Sequence, residues 1–253
     1  MTLTALRRQL AWLALAAIAA LAWAFLVASE EAMRTMQGDG PVAQLMWLMM
    51  RPGEPLPYIA AAAVMWVVMM IAMMIPAVVP MAIVHRQIYK QPRRNLATGL
   101  FASGYLAGWS AFALLAAPVQ WALHAAGWLH GMMLSAGTGL GGGLLMAAGF
   151  YQLTPAKEAC LSHCRSPLGY FLGHWRNGLG GSFRMGLAHG LYCIGCCWVL
   201  MVLMFVGGAM SVVTMVLLAG FILAERLLPA GPWVARLPGL AMIAAGAWLW
   251  LAS

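Results

Sequence analysis

Charged side chains are scarce in this sequence. Only 8% of the residues are charged and 64% are hydrophobic, so the chain cannot supply the polar surface of a soluble globular domain. Basic residues outnumber acidic ones by 14 to 6, but they form no basic run and no stacking platform typical of nucleic-acid-binding proteins. We therefore expect a polytopic membrane protein whose partner is the lipid bilayer, and no nucleic-acid partner.

The common catalytic motifs are also lacking. The sequence contains no HExxH, no phosphate-binding P-loop, no Ser-His-Asp order and no clear pair of carboxylates. These absences argue against hydrolases and nucleotide-dependent enzymes, but they leave open whether the chain is an enzyme of another kind.

Long apolar runs dominate what is present. About 20 apolar residues cross the hydrocarbon core of a bilayer, and seven such runs leave too little chain for a separate soluble domain. The predicted fold class is an all-α, polytopic membrane helical bundle that forms one domain over residues 1–253. Pro76 and Pro80 are expected to kink or interrupt the second run. The predicted spans are 10–28, 58–84, 98–123, 132–152, 186–206, 211–227 and 238–251.

The distribution of basic residues predicts the orientation. With seven spans and a cytoplasmic N-terminus, every Lys and Arg except Arg34 and Arg51 lies on the cytoplasmic side. We expect an integral, multi-pass protein of the bacterial inner membrane, and the cytoplasmic side then includes the long polar connection 153–185.

That connection begins with helix-start signals and carries two cysteines. Thr154 is a suitable N-cap, Pro155 suits the first helical position, and Pro167 closes the segment. Cys160 and Cys164 lie one turn apart on the predicted short helix, with His163 beside them as a weaker candidate ligand. Free thiols are favoured over disulfides in the reducing cytoplasm.

The fifth predicted span concentrates soft metal ligands on one face. At about 100° per residue, His189, Cys193, Cys196 and Cys197 fall within a sector of roughly 100°. Met204 lies in the same sector one to two turns further on. Polar groups at bilayer depth tend to mark function. The predicted topology places this cluster near Cys160 and Cys164, in one cytoplasm-facing pocket.

Other residues of the spans have more than one interpretation. Met69 and Met73 belong to a methionine stripe that fits adaptable packing or Cu(I) ligation. Tyr105 and Trp109, one turn apart, are interpreted as packing residues. Glu225 directly precedes Arg226 at the end of the sixth span, and we expect the two to form an interfacial ion pair.

Several sequence blocks resemble a known family. The match covers roughly 65–226, and its most specific part is Tyr192-Cys-Ile-Gly-Cys-Cys-Trp198. The chain resembles the predicted metal-binding integral membrane proteins of the domain of unknown function 2182 (DUF2182). The resemblance implies a membrane protein with Tyr192 to Trp198, Cys160 and Cys164 as signature positions. The blocks are MMIAMMIPAVVP, YLAGWSAFALLAAPVQ, FYQLTPAKEACLSHCRSP, GLAHGLYCIGCCWVLM and GAMS.

Three functions fit these features. Thiolate and thioether ligands select Cu(I), so the first is a protein that binds copper for handling or transport, with another membrane or metal-delivery protein as a further partner. The second is a membrane oxidoreductase or metalloenzyme that uses His189 and the Cys196 and Cys197 thiols, with iron or haem among its cofactors. The third is an assembly subunit with structural zinc. The oligomeric state is left open.

Overall fold

The computed structural model describes residues 3–35, 40–228 and 233–252. Within these residues the regular secondary structure is helical apart from one two-stranded hairpin. The elements in chain order are α1 (Leu3–Thr35), α2 (Pro41–Leu48), α3 (Pro55–Ile88), α4 (Arg94–Ala125), β1 (Leu129–His130), β2 (Ser135–Ala136), α5 (Thr138–Gln152), α6 (Pro155–Arg165), α7 (Pro167–His174), α8 (Gly178–Val202), α9 (Met204–Gly207), α10 (Val212–Leu227) and α11 (Trp233–Leu251).

Five of the seven predicted spans are confirmed as helices of membrane-crossing length and hydropathy in the described residues. They correspond to α1, α3, α4, α8 with α9, and α11. The other two predicted spans fold as the shorter helices α5 and α10, of 15 and 16 residues. The helix of the fourth run is shortened because the β1–β2 hairpin includes the first residues of that run. The helix of the sixth run, α10, begins directly after its N-cap, Ser211. The seven-span count is therefore not confirmed, and the orientation stays a prediction.

Two local predictions have different outcomes. Thr154 caps α6 by accepting a hydrogen bond from the Lys157 backbone N–H at 3.3 Å, Pro155 is the first helical residue, and α6 ends before Pro167, as predicted. The interruption expected at Pro76 and Pro80 is not an end of the helix, since α3 continues from Pro55 to Ile88.

Glycines bring α4 and α8 into close contact. A Cβ atom added to Gly186 of α8 would overlap the Phe101 carbonyl oxygen of α4, and one added to Gly190 would lie 2.9 Å from the Tyr105 carbonyl oxygen. Small residues allow helix backbones in a bilayer to approach in this way. The close approach places one face of α4 directly against the cysteine-bearing face of α8.

The change Gly186→Ala is therefore expected to destabilise the protein by about 1–3 kcal/mol, the usual cost of overpacking. The added methyl group meets a backbone carbonyl, which cannot move aside as a flexible side chain can. Thermal unfolding in detergent micelles would measure the loss. Gly99→Ala on α4 is the matched control, because a Cβ there meets nothing within 4 Å. Equal unfolding temperatures for the two variants would contradict this account of the contact.

Candidate metal centre

Three buried thiols of α8 form the centre of the candidate site. Cys193, Cys196 and Cys197 are each at most 1% exposed, and all three sulfur atoms lie within 4.8 Å of one another. The Cys196 and Cys197 sulfur atoms are 3.2 Å apart. The i, i+3, i+4 spacing puts the three side chains on one helical face. We call these residues the thiol trio; all three thiols are free of disulfides.

Arg226 of α10 supplies a buried positive charge to the trio. Its Nη2 atom lies 2.5 Å from the Cys193 sulfur, 3.8 Å from that of Cys197 and 4.0 Å from that of Cys196. Its Nη1 atom donates to the Ala77 carbonyl oxygen of α3 at 3.3 Å. A buried guanidinium needs an anionic partner, and the thiol trio is the group placed to provide one.

The prediction of an ion pair between Glu225 and Arg226 is wrong. Glu225 instead pairs with Lys157 of α6, whose Nζ atom lies 2.6 and 2.8 Å from the two carboxylate oxygens, and both side chains are 1% exposed. Gln152 donates to the same carboxylate at 3.2 Å. Successive helical residues point about 100° apart, so Glu225 faces α6 while Arg226 faces α8. Sequence reasoning therefore missed Arg226 as a site residue, although its charge at the end of an apolar run was the available signal.

The α4 face that packs against α8 also contacts the trio. The Tyr105 hydroxyl lies 3.0 Å from the Cys193 sulfur, and the Trp109 indole N–H donates to the same sulfur at 3.3 Å. Interpreting these two residues as packing alone was incomplete, because the polar atoms of both contact a candidate ligand. Tyr105 also donates to the Met74 sulfur at 3.7 Å.

The loop cysteines lie against the same face of α8. Cys164 of α6 is 8% exposed and lies close enough to Cys193 and Cys196 for its thiol to interact with theirs. The interaction with Cys193, together with burial, raises the pKa of the Cys164 thiol above its ordinary value. Cys160 packs over Gly195, where an added Cβ would lie 2.7 Å from the Cys160 sulfur. The structure thus brings the two cysteine groups together, with Cys164 between the trio and the outer side chains of α6.

The remaining candidate ligands lie around this centre. His189 is fully buried one turn before Cys193, and neither of its ring nitrogens has a hydrogen-bond partner among the described residues. Its ring stacks on Tyr105 at a centroid distance of 5.5 Å and meets Tyr170 at 5.1 Å. His163 is half-buried on α6 and stacks on Tyr192.

The predicted methionine ligands are part of the apolar core. Met69, Met73 and Met204 are at most 1% exposed. The thioether that the structure links to the trio, through the Tyr105 hydroxyl, belongs to Met74. Met74 belongs to the same run of methionines on α3, but the sequence pattern did not single it out as a ligand.

Comparison with known proteins gives a family. Residues 63–249 match the family described as PpoB2, copper chaperone, which is the family formerly known as DUF2182, so the resemblance is confirmed. No curated protein and no solved structure matches the chain. The matched segment covers most of the sequence and includes the thiol trio, Arg226 and all of α6. The chain therefore belongs to the PpoB2 copper chaperone family.

Proposed function

We propose that this protein is an integral membrane copper chaperone that binds Cu(I) at the thiol trio. The observation that carries the proposal is the packing of three buried thiols within 4.8 Å of one another beside a buried guanidinium. Cu(I) prefers soft thiolate ligands, whereas Mg²⁺ and Ca²⁺ prefer oxygen ligands. Membership of the copper chaperone family supports the same metal.

The charges of the site suit a monovalent ion. Cu(I) with two thiolates carries one negative charge, and the Arg226 guanidinium beside the trio supplies one positive charge. The third thiol can then complete the site without adding charge. Because the trio is at most 1% exposed, water is excluded from the bound ion.

Cys164 and Cys160 extend this site toward the surface. Cys164 lies beside two thiols of the trio, and Cys160 is half-buried on the same helix. In this proposal they exchange copper between the trio and the side of the membrane that α6 faces. The excess of Lys and Arg in the same segments supports the cytoplasm as that side. A bacterial inner membrane is the location that we propose.

The copper content of the purified protein tests the proposal. Protein in detergent is reduced, incubated with Cu(I) and then desalted, and its metal is measured by inorganic mass spectrometry. We expect about one copper per chain for the wild type. Cys193→Ser should lower the affinity for Cu(I) by at least about tenfold, because removing a metal ligand costs no less than removing a residue that hydrogen-bonds to a ligand. Cys160→Ser is the matched control, because Cys160 lies outside the trio and should leave the final copper content unchanged. Stoichiometric copper in Cys193→Ser, or zinc retained in preference to copper by the wild type, would overturn the proposal.

A further inference from the structure

Two histidines on the outer surface of the site are arranged as a pair. His163 of α6 and His174 of α7 are both half-buried, and their ring centroids are 5.9 Å apart. Tyr192 of α8 lies between them and the rest of the site: its ring stacks on His163 at 4.2 Å with the planes 3° apart, and meets His174 edge-on at 5.8 Å. These contacts fix both imidazoles at one place above α8.

Both imidazoles are held through the same nitrogen. The Nδ1 atom of His163 lies 2.9 Å from the Ala159 carbonyl oxygen, and that of His174 lies 3.0 Å from the Tyr170 carbonyl oxygen. A carbonyl accepts only from a protonated nitrogen, so Nδ1 carries the proton and Nε2 keeps its lone pair. Metal-binding histidines are commonly fixed in this way, with one ring nitrogen donating to a carbonyl and the other free to bind.

The Nε2 atom of His174 has only a weak hydrogen-bond partner. The Tyr192 hydroxyl lies 3.5 Å from this nitrogen, at the outer limit of a hydrogen bond. A metal ion can replace so weak a contact at little cost.

The histidine pair also lies next to the thiols of the site. His163 directly precedes Cys164, and the Cys164 thiol lies close enough to Cys193 and Cys196 of the trio to interact with their thiols. Nitrogen and sulfur ligands therefore follow one another from half-buried positions on α6 and α7 to fully buried positions on α8.

We propose that the Nε2 atoms of His163 and His174 form an entry site that captures Cu(I) and passes it to Cys164 and then to the trio. This inference rests on the proposed function. In the first transfer the copper–nitrogen bonds break, a copper–sulfur bond to Cys164 forms, and the Cys164 thiol proton moves to an imidazole nitrogen that the metal leaves. In the second transfer the copper–Cys164 bond breaks, a copper–sulfur bond to the trio forms, and a thiol proton of the trio moves to the Cys164 sulfur. Copper stays monovalent throughout, so no oxidant or reductant is consumed. Imidazole is a suitable first ligand because it binds copper without having to lose a proton.

The double variant His163→Asn with His174→Asn tests the entry site. The asparagine amide can replace the Nδ1 donor to the carbonyl, but it removes the Nε2 ligand. Stopped-flow mixing of reduced protein with a coloured Cu(I)–bicinchoninate complex measures the rate of copper uptake. We expect uptake to slow by about tenfold or more, with the final copper content of the trio unchanged. His130→Asn is the control, since His130 is exposed on the β1 strand and should leave the rate unchanged. An unchanged rate in the double variant would overturn the inference.

A second measurement separates the entry site from the trio. A variant with serine at positions 193, 196 and 197 should still bind Cu(I) through nitrogen ligands, visible by X-ray absorption, and should lose it when both histidines are also replaced. Copper uptake at sulfur with no nitrogen-bound copper in the serine variant would overturn the entry site and leave the proposed function standing. Nitrogen-bound copper without any uptake at sulfur in the wild type would support the histidine pair as a ligand site and overturn the proposed function.

Discussion

Replacing Arg226 with methionine should lower the affinity of the trio for Cu(I) by about a hundredfold to a few thousandfold. Leaving a buried charge without its partner costs about 3–5 kcal/mol, and each 1.4 kcal/mol corresponds to a factor of about ten in affinity. The Nη2 atom lies within 4.0 Å of all three sulfur atoms, so no other cation of the described residues is as well placed to offset the negative copper–thiolate complex. Competition with a Cu(I) chelator of known affinity would measure the change.

Arg226→Met should change the stability of the metal-free protein much less than it changes the affinity for Cu(I). Without Arg226 the thiols can stay protonated and neutral, and methionine fills much of the volume that the arginine side chain occupied. Arg226→Lys keeps the positive charge but not the planar fork that reaches several sulfurs, so we expect an intermediate affinity. Wild-type affinity in Arg226→Met, at an unchanged unfolding temperature, would show that the guanidinium is not the counter-ion of bound copper.

Lys157→Met should destabilise the fold more than Gly186→Ala does. It leaves the Glu225 carboxylate, 1% exposed, without its cation, at a cost of about 3–5 kcal/mol in the free energy of unfolding. The substitution also loosens α6, because Lys157 is the residue of that helix that donates to both Glu225 and Gln152. Denaturant titration in mixed micelles would measure the difference.

A second substitution distinguishes the charge effect from simple loss of packing. In the double variant Lys157→Met with Glu225→Gln, the buried site is neutral and the amide oxygen can still accept from Gln152. We expect the double variant to be more stable than Lys157→Met alone, because residues in direct contact do not act additively. If the double variant were the less stable of the two, unpaired charge would not be the source of the loss.

The general architecture followed from sequence because it depends on composition and local signals. Apolar runs of sufficient length predict helices that cross a membrane, and five of them do have that length. The start of α6 was predictable because an N-cap threonine followed by proline acts locally. The extent of α10 was predicted to within one residue, whereas the length of α5 was not predictable in the same way, because the apolar run continues through the hairpin that precedes α5.

The composition of the site was predictable in part. The thiol trio could be found because its three members share one helix, where spacing alone fixes the face. Arg226, Tyr105 and Trp109 reach the trio from other helices, and their contacts depend on how closely α4, α8 and α10 approach. The distance between α4 and α8 is set by close contacts such as that of Gly186 with Phe101. The residue pattern of one helix does not reveal such contacts between two helices. The predicted ion pair of Glu225 with its sequence neighbour Arg226 was wrong for the same reason, since the partner of Glu225 is Lys157 on α6.

The buried ion pair between Lys157 and Glu225 holds α6 in place over the candidate site. Lys157 and Glu225 are sealed from solvent, and the Arg165 side chain adds a hydrogen bond at 2.8 Å to the Glu225 carbonyl oxygen. Lifting α6 would separate the two charges in an apolar environment, which is costly on the scale of several kcal/mol per ion. In the proposed function, copper exchange therefore takes place with α6 docked, and the exchange rate depends on access to the surface of the site, not on movement of α6.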